Sequence, residues 1–195
     1  MANTLAPFGF KHIGYLDGQA PTFAPQPRQI LATNTTKIFR GDPVTSESTG
    51  YIQQAAPGTT QIAGVFDSCT YFSLAQGRQV WSNFWPGGDV ASNGIVVAHI
   101  ISSPSALFLA QSNGIPITIA DVGSNVNFAI GTGSTIGGGF SGATIDASTL
   151  ATTATLPFRV YGPYESVGNG SDPTTNFNYA IVAFNNQDFK SLTGV

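Results

Sequence analysis

Apolar residues along this chain gather in short runs divided by turn residues, and the densest series lies between Gly94 and Gly131. Residues 95–101 form a β-branched run closed by Ser102-Ser103-Pro104. Residues 106–111 close at Asn113-Gly114, and residues 115–120 close at Asp121-Val122-Gly123-Ser124-Asn125. Runs this short, bounded by Pro, Asn-Gly and Asp/Gly, predict strands rather than helices. The run 95–101 is apolar at both parities, which predicts a strand in the middle of a sheet or barrel. His99 shares a face there with Ile95, Val97 and Ile101, so it is expected to be a hydrogen-bonded core histidine.

Weaker strand signals flank this centre. They fall at 37–40 (ended by Gly41-Asp42-Pro43, with Val44 opening the next piece), 51–54, 62–72, 78–85, 144–146, 152–162 and 179–184. The long run 62–72 is expected to bulge at Gly64 or Asp67. Within 152–162, Leu156, Phe158 and Val160 point inward and Pro157, Arg159 and Tyr161 outward. Pro157 marks an edge or a strand end there. The Gly-rich segment 131–142 reads as a loop or hairpin tip, and 164–175 as a polar loop. No stretch shows a sustained period of 3.6 residues. Strands at roughly ten-residue spacing predict an all-β fold, a single β-barrel or sandwich domain.

That domain is expected to span residues 37–186. Residues 1–36 have little periodicity and carry Pro7, Pro21, Pro25 and Pro27. They predict an extended N-terminal arm with at most a short strand at 29–32. Such an arm must bond to its own barrel or to a neighbouring subunit, and Phe8, Phe10, Ile13 and Tyr15 are its apolar anchors. Its removal through Gly18 is expected to leave the barrel folded but to weaken assembly. Residues 187–195 read as a C-terminal tail.

Composition narrows the function. The chain is 42% hydrophobic but only 9% charged, against a usual charged fraction of about 25%. Its polar surface must therefore be largely uncharged, which protects poorly against self-association and suits a protein that lies against other proteins. The net charge of −3 and the scattered Lys and Arg provide no basic footprint for nucleic acid. A single cysteine, Cys69, excludes an intrachain disulfide and reads as a small buried hydrophobe. No apolar run reaches the roughly 20 residues of a membrane helix. The N-terminus lacks the basic and apolar regions of a signal peptide, so cytoplasmic synthesis is expected.

Candidate chemistry is sparse. Gly139-Phe140-Ser141-Gly142-Ala143 approaches a nucleophile elbow but has Ala143 at the second Gly position and no strand-to-helix context. The same loop lacks the Gly-Lys-Ser/Thr ending of a phosphate loop. His12 and His99 lack metal-ligand spacing, and Asp42, Asp89, Asp121 and Asp172 sit at turns that Asp stabilises. A hydrolase would have to use Ser141 with His99. The strongest non-structural signal is Trp81, Phe84 and Trp85. On one strand Trp81 and Trp85 would share a face, as core, as an interface or as a sugar-stacking platform. No catalytic, cofactor or metal site is expected.

Several short stretches resemble the head decoration, or structural cement, proteins of tailed bacteriophages. They are Ala2-Asn3 with Pro7-Phe8-Gly9-Phe10, Gly41-Asp42-Pro43-Val44, Gly64-Val65-Phe66, Trp85-Pro86, and Gly123 with Asn125. The Gly-rich run into Ser141 and Asp146, and Ala151-Thr152-Thr153-Ala154-Thr155-Leu156-Pro157, complete the series. The likeness departs at residues 81–85 and 164–176. It implies a non-enzymatic virion protein on the outer surface of the capsid. Such a protein bridges major capsid subunits as a dimer or trimer and needs no nucleic acid, membrane or cofactor. The expected contacts with the capsid or between subunits are Pro7, Phe8, Phe10, Tyr15, Trp81 and Trp85. The alternative is a β-sandwich carbohydrate-binding or adhesin module of a phage fibre, which requires Trp81 and Trp85 to be exposed.

Overall fold

A computed structural model describes residues 3–22, 25–164, 171–192 and 194. Among them the strands run β1 (Lys11–Tyr15), β2 (Gln26–Ile30), β3 (Ile38–Phe39), β4 (Pro43–Ser46), β5 (Ile52–Gln54), β6 (Gly64–Ser73) and β7 (Arg78–Ser82). They continue as β8 (Phe84–Trp85), β9 (Val96–Ile101), β10 (Ala106–Gln111), β11 (Asn125–Ala129), β12 (Thr144–Ala151), β13 (Phe158–Pro163) and β14 (Tyr179–Phe184). The chain is all-β, as its short apolar runs require.

The strands build a closed barrel and, beside it, a second barrel that is incompletely closed. In the first, the order is β4-β5-β2-β9-β6, and β4 also pairs with β6, which closes the ring. β7 extends this sheet from β6 as an edge strand. β3 and β8 form a separate two-stranded ribbon. The second sheet has the order β1-β10-β14-β13-β11-β12. A bridge between Ser112 and Ile145, with the Asn113 N–H donating to the Ile145 carbonyl at 3.0 Å, brings the end of β10 beside β12. This sheet therefore curls almost to closure, leaving β1 on its outside.

Period-2 alternation fills each interior. In β9, Val96, Ala98 and Ile100 are buried. They meet Ile30, Val44, Ile52, Phe66, Cys69 and Trp85 inside the first barrel. The second barrel holds a phenylalanine array. Phe10 stacks on Phe158 at 4.5 Å, and Phe108 meets Phe184 edge-on at 4.9 Å. Rings at these separations contribute beyond their burial, which itself stabilises by about 1.5–3 kcal/mol per large side chain.

Several expectations from the sequence require correction. Residues 1–36 are not an arm outside the barrel with a single short strand. β1 is a strand of the second sheet and β2 lies within the first barrel. β2 is polar at most positions and β1 opens on Lys11 and His12, and only Gly14 and Ile30 are fully buried in them, which hides the alternation. Residues 115–120 form no strand. Pro116 removes a ladder donor, and the Asn178 side chain takes the partner role, accepting from Ile117 N–H (3.0 Å) and donating to Ile117 C=O (2.7 Å). Ile119–Asp121 is then a short 3-10 turn. The outer face of β9 is half-exposed rather than buried, and Ile95 is exposed. His99 is accordingly not a core residue. Pro157 is buried just before β13, a strand end and not an outward position. The tail begins packed: Gln187 is buried and donates to the carbonyls of Ala63 and Ser102. Of the polar loop expected at 164–175, residues 165–170 lie outside the described residues.

Candidate functional site

The seam between the barrels is built from the β3–β4 turn, the N-terminal segment and the end of the Gly-rich loop. Arg40 N–H donates to Gly139 C=O, Ser141 N–H to Arg40 C=O, and Phe10 N–H to Gly41 C=O, each at 2.9 Å. This approach requires glycine twice. Gly9 (φ 77°) and Gly41 (φ 94°) are left-handed, and a Cβ on Gly9 would lie 2.8 Å from the Gly41 carbonyl oxygen. Beneath them Asp42 is buried. One of its oxygens accepts from Phe39 N–H and from the Gln54 side chain, each at 2.7 Å, and the other accepts a short hydrogen bond from the Ser141 hydroxyl. Burial raises the Asp42 pKa above its ordinary range, and these three donors oppose the shift.

Ser141 is thus a structural residue. It is 1% exposed, and its oxygen also accepts from Ala143 N–H. His99 lies on the outer face of the first barrel beside Thr70, 3.4 Å from its hydroxyl. The Ser141–His99 pair does not form. Cys69 is buried, and desolvation pushes its thiol up to about 12, far from a thiolate at neutral pH. Among the described residues no three His, Cys, Asp or Glu side chains are grouped to hold a metal.

The seam opens outward into a cleft of about 630 Å³. Its aromatic walls are Phe8, Phe140, Tyr164 and Tyr179, with Phe8 and Tyr179 rings 5.7 Å apart. Polar groups punctuate them. Asp67 stands at the bulge of β6, where register shifts between Phe66 and Ser68, and this turns its carboxylate toward Arg40. One Asp67 oxygen takes both Arg40 Nε (3.1 Å) and Nη2 (3.0 Å). His12 also lines the cleft; its Nε2 lies 3.1 Å from Gly14 C=O, which must be accepting. Its Nδ1 is buried, with no partner among the described residues. Burial lowers the His12 pKa despite Gly14 and Asp67, so the ring is neutral at pH 7 and Nδ1 is an unused acceptor. A second hollow of about 390 Å³, lined by Tyr15 and Phe189 among others, shares His12 and Ile101 with the cleft.

A second surface lies on the outside of the first barrel. Trp81 on β7 faces Thr70 on β6, which faces Val97 on β9. Phe72 follows in the next outward row, and Ile95 continues β9 opposite it in the same register. Phe72, Trp81 and Ile95 are 54%, 67% and 66% exposed. Neither row carries a charge, and among the described residues no strand pairs with the outer edge of β7.

The six expected contact residues do not come together. Trp85 is fully buried, with its indole N–H donating to Asn34 C=O at 3.1 Å. Phe10 is buried in the second core. Neither can be a surface contact. Trp81 and Trp85 do not share a face, because Asn83 interrupts the strand and resets the alternation between β7 and β8. Trp81 is exposed, Pro7 and Phe8 are half-buried, and Tyr15 is half-buried with its hydroxyl 3.0 Å from that of Thr22. Sequence reading missed Arg40, Asp67 and Phe140 as wall residues of one cleft. The bulge expected at Asp67 was the available signal.

The fold defines an all-β protein of two barrels joined by a buried polar seam. No family model, curated protein or solved structure matches the chain.

Proposed function

We propose that this is a non-enzymatic virion protein of the tailed-phage head decoration type. It would bind the outer surface of the capsid and stabilise the assembled shell by bridging major capsid subunits, itself as a dimer or trimer. The reading is supported by the resemblance carried along the chain, including Pro7-Phe8-Gly9-Phe10 and Gly41-Asp42-Pro43-Val44, and by a surface poor in charge. One observation carries it at the level of a surface: the uncharged face of Phe72, Trp81 and Ile95 beside the open edge of β7. Large apolar side chains grouped on one face mark protein contact sites, and a tryptophan among them is the residue type that dominates interface energies. Binding restricted to the assembled shell stabilises that shell by mass action, and many copies acting together multiply the effect.

The test is to mix purified protein with expanded shells that lack it and count bound copies per major capsid subunit. Saturation at a ratio set by lattice symmetry is expected, with Trp81→Ala reducing occupancy. Shells that stay bare at saturating protein overturn the proposal. The fibre-adhesin alternative loses its paired-tryptophan platform, since Trp85 is internal.

A further inference from the structure

The cleft at the seam differs from the decorating face. Its walls are aromatic, and the Arg40–Asp67 pair between them is partly exposed, with bonding capacity not taken by other described protein groups. His12 Nδ1 is a buried acceptor with no donor among the described residues. Among the described residues the second Asp67 oxygen receives only a long contact from Ser68, at 3.3 Å. Arg40 uses Nε and Nη2 on Asp67, so Nη1 carries no protein partner among the described residues. A guest that engages the Arg40–Asp67 pair must supply a donor to the carboxylate and an acceptor to the guanidinium side by side, while lying flat against aromatic rings; His12 Nδ1 is closed to solvent and takes no part.

From this we infer that the cleft binds a short neutral oligosaccharide. Vicinal hydroxyls are both donors and acceptors, so they match a carboxylate and guanidinium held side by side. The apolar faces of sugar rings suit Phe8, Phe140 and the two tyrosines, which are half-exposed or exposed. The volume falls within the roughly 300–1,000 Å³ of small-molecule sites. Lys11 and Arg40 against Asp67 leave one net positive charge, and since Arg40 is paired with Asp67 that charge is the exposed Lys11 ammonium rather than a group at the polar centre of the cleft. An added peptide strand fits less well, because backbone along β1 is already engaged. Phe10 N–H is taken by Gly41 C=O, Gly14 C=O by His12 and Tyr15 N–H by Gln19 C=O, which leaves little ladder to extend.

The inference is tested with the full chain on an array of neutral oligosaccharides, followed by calorimetric titration of the best binder. Binding is expected to weaken by about tenfold or more in Asp67→Asn and in Phe140→Ala. Trp81→Ala, on the other surface, is expected to bind sugar normally. Thermal melts establish that each variant is folded, and Arg40→Lys serves as a second probe if Asp67→Asn is not. A folded wild-type protein that captures no neutral glycan overturns the inference. So does glycan binding that is lost in Trp81→Ala and kept in Phe140→Ala, or capture of extended peptides in place of sugars. Shell binding is scored separately, so decoration and sugar binding can fail independently.

Discussion

A carboxylate sealed from water costs free energy unless donors surround it, and Asp42 has three. Removing it with Asp42→Ala strands the Phe39 N–H, the Gln54 amide and the Ser141 hydroxyl together. We expect a loss of about 3 kcal/mol or more in urea unfolding. Asp42→Asn keeps an acceptor for Phe39 and Gln54 and turns a donor toward Ser141, so its cost is about 1 kcal/mol. The pH dependence separates the two forms further. Burial raises the Asp42 pKa above the ordinary value of 3.8, so the folded state holds this proton more tightly than the unfolded chain. Its contribution is therefore largest below 3.8 and is lost as pH rises through the folded value. The amide does not titrate. Asp42→Asn should thus gain on the wild type as unfolding is repeated from acidic pH toward neutrality, and a constant difference would show that Asp42 carries no shifted proton.

At the scale of the element, the two tryptophans show how a single residue redirects a strand. Asn83 separates β7 from β8, placing Trp81 outside and Trp85 inside. Trp85→Ala should cost about 3–5 kcal/mol through the cavity it leaves and the lost bond to Asn34. Trp81→Ala should change stability by no more than about 0.5 kcal/mol, and chemical denaturation of both variants checks the contrast. The same logic explains what was legible in the chain. β10 and β14 fall at 106–111 and 179–184 as expected, because their apolar runs are uninterrupted and bounded by clear turns. The bulge of β6 was visible at Asp67. The strand β1 was not, since its main core contact comes from Phe10 just before it, its fully buried position is the side-chain-free Gly14, and it opens on the polar Lys11 and His12. The cleft was not legible either, because Phe8, Arg40, Asp67 and Phe140 are far apart in sequence and meet only through the closing of two barrels.

At the scale of the molecule, the chain does not build the barrels one after the other. β1 belongs to the second sheet, β2 through β9 to the first barrel and its ribbon, and β10 through β14 return to the second sheet. The first barrel is in effect inserted between β1 and β10. Gln187, after the last strand, reaches back to Ala63 and Ser102 at the other barrel, while Asp42 and Ser141 join the two from within. Such interleaving ties the stability of each barrel to its neighbour. Heating should therefore produce one calorimetric transition whose van't Hoff enthalpy equals the measured enthalpy, and two separated peaks would show that the seam does not couple the barrels. Removal of residues 1–18, which would spare a barrel trailing a loose arm, should here abolish that transition. The truncation deletes β1 from its place against β10 and takes Phe10 from its stack on Phe158. It also removes Gly9 from its packing on Gly41. A truncated chain that retains dispersed methyl resonances and a cooperative melt near the wild-type temperature would mean that the N-terminal strand is an addition to a fold complete without it.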